Sequence, residues 1–126
     1  MGLDMYLYGV NDEHMPIDKQ NRRTLVCYWR KANAIHRWFV ENVQDGVDDC
    51  GIYIVSVEQL KELLYLAKEA LASSEPANFL PTMSGFFFGG TDYGEWYRED
   101  LKHTIKTLSE IIRLDEFKLY EYHAWW

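Results

Sequence analysis

The chain begins with Met1-Gly2-Leu3-Asp4-Met5-Tyr6-Leu7-Tyr8-Gly9-Val10, in which apolar side chains alternate with polar or tyrosine side chains. Successive side chains of an extended chain point to opposite faces. Leu3, Met5 and Leu7 would therefore lie on one face of a strand, which we predict over residues 1–10. The last eight residues, Leu119–Trp126, also favour a strand, and we expect it to pair with the first.

Three helices are predicted between these terminal strands, because apolar residues recur there at intervals of three and four. In chain order, the predicted elements are a loop over Asn11–Arg23, a short strand or extended segment over Thr24–Tyr28, a helix over Arg30–Gln44, a strand over Gly51–Val55, a helix that starts after Ser56 and stops before Ser73, and a helix from Tyr93 to about Arg113. They predict a single α+β domain over residues 1–126. Its three main helices would pack on a small, mostly antiparallel sheet that includes the N- and C-terminal strands.

Two of the predicted helices have a capping-box pattern at their N termini. Ser56 with Gln59 would start the second helix, and Asp92 with Glu95 would start the third. In the first helix, the apolar stripe leaves His36 outside the buried face. The predicted stripe residues are Ile35, Trp38, Phe39, Asn42 and Val43 in the first helix, Leu60, Leu63, Leu64, Ala67 and Leu71 in the second, and Tyr97, Leu101, Ile105, Leu108 and Ile112 in the third.

The composition indicates a globular protein with a core of its own. Hydrophobic residues make up 48% of the chain, and aromatic residues make up 16%, so some rings are expected to line a surface or pocket. The first residues lack the pattern of a secretory signal, and no run of about 18 apolar residues predicts a transmembrane helix. We therefore expect a cytoplasmic protein with no membrane partner, in which Cys27 and Cys50 stay reduced.

The charges of the chain are unevenly distributed. Residues 19–37 contain six cations and no acid, so this segment carries +6 in a chain of −7 and leaves −13 for the remainder. An acidic chain with one basic segment favours a local anion site and argues against general affinity for nucleic acid. The alternative is that these cations pair with carboxylates elsewhere in the fold. The six cations are Lys19, Arg22, Arg23, Arg30, Lys31 and Arg37.

The first candidate site is the start of the first predicted helix. The residues there that could hold a nucleotide are Trp29, Arg30, Lys31, Asn33 and Arg37. The three cations could bind phosphate beside the free amides of a helix N terminus. The tryptophan could stack on a base, and the asparagine, on one helix face with both arginines, could hydrogen-bond to a base edge. The alternative is an amphipathic helix whose tryptophans fill the core and whose cations face water.

The second candidate site is Leu80-Pro81-Thr82-Met83-Ser84-Gly85-Phe86-Phe87-Phe88-Gly89-Gly90-Thr91-Asp92-Tyr93, called here the Phe-Gly segment. In a strand, Phe87 would point away from the two phenylalanines beside it, and the glycines could bring backbone close to a ligand. The spacing matches neither a phosphate-binding loop nor a dinucleotide-binding turn, and the alternative is a buried strand with glycine kinks. The candidate ligand-binding residues here are Thr82, Ser84, Gly85, Phe87 and Asp92.

No catalytic group is predicted. The four histidines are scattered without metal-binding spacing, and Ser84 does not lie in a nucleophile elbow. Glu95, Glu99 and Asp100 are interpreted as solvated acids near a helix start, where the helix dipole favours them. We therefore assign no catalytic residue, no metal and no cofactor, and the sequence favours a binding protein over an enzyme.

Specific motifs occupy four stretches of the chain, Met1–Leu7, Tyr28–Phe39, Cys50–Val55 and Leu80–Gly89. Through these motifs the chain resembles a family of small proteins found in phages, prophages and bacteria. The chain departs from the family pattern at Gly90, where a serine is expected, and at Gly94, where an acidic residue is expected. The resemblance implies a phage context but no particular activity, so no catalytic residue is transferred.

These observations predict a non-enzymatic phage accessory protein that counters a host defence by sequestering a nucleotide-type signalling molecule. We expect it to act in the host cytoplasm and to form a homo-oligomer. Two alternatives stay open. One is inhibition of a host defence or regulatory protein by direct contact, and the other is a small enzyme that acts on a nucleotide.

Overall fold

The structure is a computed structural model that describes residues 2–11, 23–85 and 88–126. Its elements are β1 (Asp4–Val10), β2 (Arg23–Arg30), α1 (Asn33–Asn42), β3 (Ile52–Val55), α2 (Val57–Ala72), a short 3₁₀ turn (Pro76–Asn78), α3 (Glu95–Leu114) and β4 (Leu119–Trp125). None of the helices in this described part is both long enough and apolar enough to cross a membrane.

The four strands form one antiparallel sheet in the order β2-β1-β4-β3. β1 pairs with β4 along its whole length, from Asp4 opposite Trp125 to Val10 opposite Leu119. The predicted α+β class, with three main helices in the described residues and a sheet that includes both terminal strands, is confirmed. The predicted pairing of the first strand with the last is also confirmed, so the two ends of the chain form the centre of the sheet.

The helices and one face of the sheet enclose the core. Leu3, Met5 and Leu7 are fully buried, as their alternation predicts. Phe39 of α1 stacks on Tyr122 of β4 with ring centroids 3.7 Å apart. Burying one large ring contributes about 1.5–3 kcal/mol, so these contacts fix α1 firmly against the sheet and thereby fix the loops at its N terminus.

α1 starts later than the sequence predicts, which changes the first candidate site. The predicted helix began at Arg30, but Arg30 is the last residue of β2 and lies opposite Asp4 of β1. Lys31 then turns the chain in a left-handed backbone conformation (φ 56°), and the helix begins only at Asn33. The prediction that Arg30, Asn33 and Arg37 share one helix face is therefore wrong.

The buried face of α1 also differs from the predicted stripe. His36 is fully buried, whereas Asn42, which the stripe included, is exposed. Ala34 and Val40 are buried as well, so the buried face is wider than the apolar pattern indicates. The prediction for His36 is wrong because its hydrogen-bond partners, Asp48 and Tyr122, lie 12 and 86 residues away in the sequence.

One of the two predicted capping boxes forms. At the start of α2, Gln59 N donates to Ser56 Oγ at 3.1 Å and Ser56 N donates to Gln59 Oε1 at 2.9 Å, so this capping box is confirmed. The second prediction is wrong, because α3 starts at Glu95 with Gly94 in the capping position and no side-chain cap. Asp92 instead accepts a hydrogen bond from Gly94 N at 3.3 Å and closes a turn before the helix.

The remaining predictions have mixed outcomes. Residues 12–22, which make up most of the predicted loop, lie outside the described residues, as does the middle of the Phe-Gly segment, including Phe87. The described parts of that segment contain no strand, and Phe88 is buried with its ring edge-on to His36.

Cys27 and Cys50 are free thiols. Burial raises the pKa of Cys27 to about 12, so that thiol stays protonated.

Candidate ligand-binding site

A cavity of about 470 Å³ opens between the end of β2, the start of α1, the end of the Phe-Gly segment and the first half of α3. Small-molecule sites have volumes of about 300–1,000 Å³, so the cavity is large enough for a ligand. Five of the predicted site residues line it, namely Arg30, Lys31, Asn33, Thr82 and Asp92. The two candidate segments of the sequence therefore meet at one cavity, which Gly89 and Gly90 also line.

Lys31 has an unusual position at this cavity. Its left-handed backbone (φ 56°) is uncommon for a residue with a side chain, and its backbone N–H donates to Leu3 O at 2.7 Å. The side chain runs between Gly2 and Gly89: a Cβ atom added at Gly2 would lie 3.2 Å from Lys31 Cε, and one added at Gly89 would lie 3.2 Å from Lys31 Cβ. Both glycines have positive φ angles, so the backbone on either side is shaped around this lysine.

The other described cations of the basic segment have acidic partners. Arg30 Nη1 lies 2.9 Å from Asp4 Oδ1, Arg23 Nε lies 2.7 Å from Glu121 Oε1, and Arg37 Nε lies 3.0 Å from Glu41 Oε1. For these three arginines, pairing within the fold is confirmed. Lys31 has no ion-pair partner in residues 2–11, 23–85 and 88–126, and it is the cation at the cavity that could accept an anionic ligand without breaking a described ion pair.

Asn33 fixes the wall of the cavity. Its Nδ2 atom donates to Phe88 O at 3.1 Å and to Gly90 O at 2.8 Å, and its Oδ1 atom accepts from Met83 N at 3.0 Å. These bonds occupy both ends of the amide. Asn33 therefore holds the two described arms of the Phe-Gly segment at the start of α1, and it positions the wall of the site.

Thr82 has a similar positioning role. Its hydroxyl donates to Thr91 O at 2.9 Å, and its backbone N–H donates to Tyr93 Oη at 3.1 Å. Tyr93 packs edge-on against Tyr97 of α3, with ring centroids 4.9 Å apart. These contacts join the Phe-Gly segment to the first turn of α3, and the cavity consequently has a fixed shape on this side.

Four residues of α3 line the cavity, and two of them, Trp96 and Asp100, are candidate ligand contacts that were not predicted from the sequence. Trp96 has 84% of its side chain exposed, and Asp100 follows it by four residues, on the same side of the helix. Burial, with a smaller contribution from Glu99, raises the pKa of Asp100 to about 6. The interpretation of Asp100 as a solvated acid is therefore wrong. The four-residue spacing of a tryptophan and an acid was the only sequence signal.

Several predicted site residues lie elsewhere. Trp29 is 2% exposed, and its Nε1 atom donates to Thr104 Oγ1 at 2.8 Å, so it has no face available for a ligand. Arg37 donates to Thr82 O at 2.9 Å from a separate groove. Ser84 and Gly85 are exposed but do not line the cavity.

A buried polar cluster formed by His36, Asp48 and Tyr122, called here the His36 cluster, lies behind the Phe-Gly segment. His36 Nε2 lies 2.9 Å from Asp48 Oδ1, and His36 Nδ1 lies 2.7 Å from Tyr122 Oη. Because the carboxylate can only accept, Nε2 donates to it and Nδ1 accepts from the tyrosine. Burial lowers the pKa of His36 against the opposing effect of Asp48. Trp126 Nε1 also donates to Asp48 Oδ1 at 3.1 Å, so the cluster holds the C terminus.

The site does not resemble a metal centre. Within residues 2–11, 23–85 and 88–126, no three His, Cys, Asp or Glu side chains are grouped so that they could hold a metal ion. No protein-family model, curated protein or solved structure matches the chain. The geometry of the cavity is therefore the basis on which we infer a function.

Proposed function

We propose that the protein binds a nucleotide-type small molecule in this cavity without transforming it. The observation that carries the proposal is the left-handed backbone of Lys31 at the edge of the cavity. A residue held in a sparsely populated backbone conformation stores strain of about 1–3 kcal/mol, and such residues cluster at functional sites. Here the strained residue is also a cation at a cavity, and no described acid neutralises it.

The phosphate end of the ligand would lie at Lys31 and Arg30. An ammonium group binds phosphate oxygens as a point charge, and a guanidinium group can bind them through paired hydrogen bonds. Arg30 already contacts Asp4 and has about half of its side chain exposed, so it would contribute to the field at the rim. Lys31 would make the principal contact.

The base end of the ligand would lie at Trp96. Stacking of a base on an aromatic side chain contributes about 1–3 kcal/mol, and the exposed indole of Trp96 is available for it. In this role Trp96 replaces Trp29, the stacking residue predicted from the sequence, because Trp29 is buried in the core. The ring and the cation line one cavity, as binding of a nucleotide requires.

Isothermal titration calorimetry tests the proposal. The wild-type protein would be titrated with cyclic nucleotides, ADP-ribose-derived nucleotides and nucleoside 5′-monophosphates. We expect one-site binding of at least one of them, weakened about tenfold or more by Lys31→Gln, because a lost charged contact is worth about 1.5–3 kcal/mol. Lys68→Gln, at an exposed lysine of α2, is the matched control and should bind like wild type. No heat from any nucleotide, with folded protein, would remove the proposal.

The biological role that we propose is sequestration of a nucleotide signal of a host defence by a phage protein. The support is the resemblance of the motifs to phage and prophage proteins. Sequestration and enzymatic turnover differ in whether the nucleotide recovered from the protein is chemically unchanged. After incubation and heat denaturation, chromatography should return the bound nucleotide unchanged, whereas a new product peak would favour the enzyme alternative.

A second candidate function, inhibition of a host protein by contact, has its own supporting observation. On β3 and β4, Ile54 and Trp125 are 65% and 63% exposed, and apolar patches on a surface mark interaction sites. Ile54→Lys should abolish specific capture of a host protein while Lys31→Gln leaves it intact.

Analytical ultracentrifugation of both variants would also test the expected homo-oligomer. If the surface around Ile54 is the interface of that oligomer, Ile54→Lys should dissociate it and Lys31→Gln should not.

A further inference from the structure

Asp100 is the acidic counterpart of Lys31 in the cavity. It lies one turn after Trp96 on α3, and both residues line the cavity. Residues four apart on a helix are neighbours. A ring stacked on the Trp96 indole would therefore have one of its edges beside the Asp100 carboxylate.

The Asp100 carboxylate has no described hydrogen-bond donor. Thr104 Oγ1 donates to the backbone O of Asp100 and not to its carboxylate, and no ion pair within residues 2–11, 23–85 and 88–126 includes it. An ionised carboxylate only accepts hydrogen bonds, and burying one without donors is unfavourable. The raised pKa of about 6 reflects this and still leaves the group mainly ionised at neutral pH. Asp92, the other cavity aspartate, already accepts from Gly94 N.

We infer that Asp100 is a specificity residue that selects a base with two adjacent N–H donors, the edge that guanine presents through N1–H and its 2-amino group. The inference rests on the proposed nucleotide-binding function. The two carboxylate oxygens match two parallel N–H donors, as they do in bidentate pairs. Adenine places the ring acceptor N1 beside its 6-amino group, so its edge would set an acceptor against the carboxylate. Buried polar groups left unpaired are what allow a site to reject an analogue.

Calorimetry with GMP, IMP and AMP tests this inference. We expect wild-type protein to prefer GMP over AMP by about tenfold to a hundredfold, because hydrogen bonds to a charged group contribute about 1.5–3 kcal/mol. IMP keeps N1–H but lacks the 2-amino group, and it should bind with intermediate affinity. Asp100→Asn should reduce the GMP preference to about threefold or less. Glu99→Gln, which removes a charge from the adjacent exposed residue, should keep the preference and serves as the control.

The outcomes separate this inference from the proposed function. If no nucleotide binds to folded wild-type protein, both are overturned. If nucleotides bind through Lys31 but AMP binds as well as GMP, or Asp100→Asn keeps the GMP preference, only the role of Asp100 is overturned. Circular dichroism and thermal unfolding would verify that Asp100→Asn is folded, which we expect because the variant removes an unpaired charge.

Discussion

The His36 cluster and the ligand cavity both involve residues of α1, and they differ in how their polar side chains are paired. In the His36 cluster, both ring nitrogens of a fully buried histidine have partners within 3 Å, at 2.9 and 2.7 Å. At the cavity, the Lys31 ammonium and the Asp100 carboxylate have no ion-pair partner among the described residues. Most buried polar groups are hydrogen-bonded within the fold. We infer that the exposed ammonium of Lys31 and the partly buried carboxylate of Asp100, which line one cavity, are available to pair with a ligand.

The largest effect on stability should come from removing the histidine of the His36 cluster. His36→Ala would leave the Asp48 carboxylate and the Tyr122 hydroxyl without their shared partner, and we expect it to lower the free energy of unfolding by about 3 kcal/mol. Urea denaturation would measure this. His103→Ala, at an exposed histidine that bonds Tyr28 O, should cost about 1 kcal/mol or less. Equal losses would mean that the cluster is not a special support.

A smaller effect is expected from the wall beside Lys31. Gly89→Ala would force a side chain into a positive-φ conformation (φ 87°) and bring its Cβ to 3.2 Å from Lys31 Cβ. We expect a loss of about 2 kcal/mol in the free energy of unfolding. Gly46→Ala has similar backbone strain (φ 79°) but no atom within 4 Å, so it should cost about 1 kcal/mol. The difference between the two variants measures the contact with Lys31, and no difference would argue against a close fit there.

The pH dependence of stability sharpens the comparison, because the contributions of Asp100 and His36 to the free energy of unfolding change with pH in opposite directions. The folded-state pKa of Asp100 is raised from 3.8 to about 6, so its contribution to stability is fully present below pH 3.8 and is lost as the pH rises through 6. The folded-state pKa of His36 is lowered from 6.5, so its contribution is present above pH 6.5 and is lost as the pH falls.

Asp100→Asn should therefore raise the free energy of unfolding at pH 7 by about 1 kcal/mol, allowing for the partial exposure of the group, and should remove the loss between pH 4 and 7. Urea denaturation of wild type and variant across this range would measure it. A variant that is less stable than wild type at pH 7 would contradict the interpretation that the carboxylate is unsatisfied.

The smallest effect on stability should come from Trp96→Ala. The side chain is 84% exposed, and exposed substitutions usually change stability by about 0.5 kcal/mol or less. We expect binding of nucleotides to weaken about fivefold or more, since stacking contributes about 1–3 kcal/mol per base. Thermal unfolding and calorimetry on the same samples would separate the two effects. Unchanged binding would exclude Trp96 as the stacking platform.

Local patterns in the sequence were sufficient for much of the fold. The alternation around Met5 predicted β1 and its buried face, and Ser56 with Gln59 predicted the start of α2. These signals involve neighbouring residues, so no knowledge of the tertiary structure is needed to find them. Arg30, Lys31 and Thr82, which the sequence marked as candidate site residues in two separate segments, line one cavity.

The errors occurred where long-range contacts decide the outcome. Arg30 belongs to a strand because Asp4, 26 residues earlier, pairs with it, and no local pattern shows that. His36 is buried because the hydroxyl of Tyr122, 86 residues away in the sequence, hydrogen-bonds its Nδ1 atom inside the core. Asp100 follows Glu95 and Glu99 near a helix start, as a solvated acid would, and only the packing around α3 shows that it is partly buried.

The most direct test of the central claim is a single calorimetric comparison of wild type, Lys31→Gln and Lys68→Gln with GMP at low salt. We predict one-site binding that Lys31→Gln weakens about tenfold or more and Lys68→Gln leaves unchanged. Equal heats for the two variants, or none with folded wild-type protein, would contradict the claim that the unsatisfied polar groups at the cavity exist to hold a ligand.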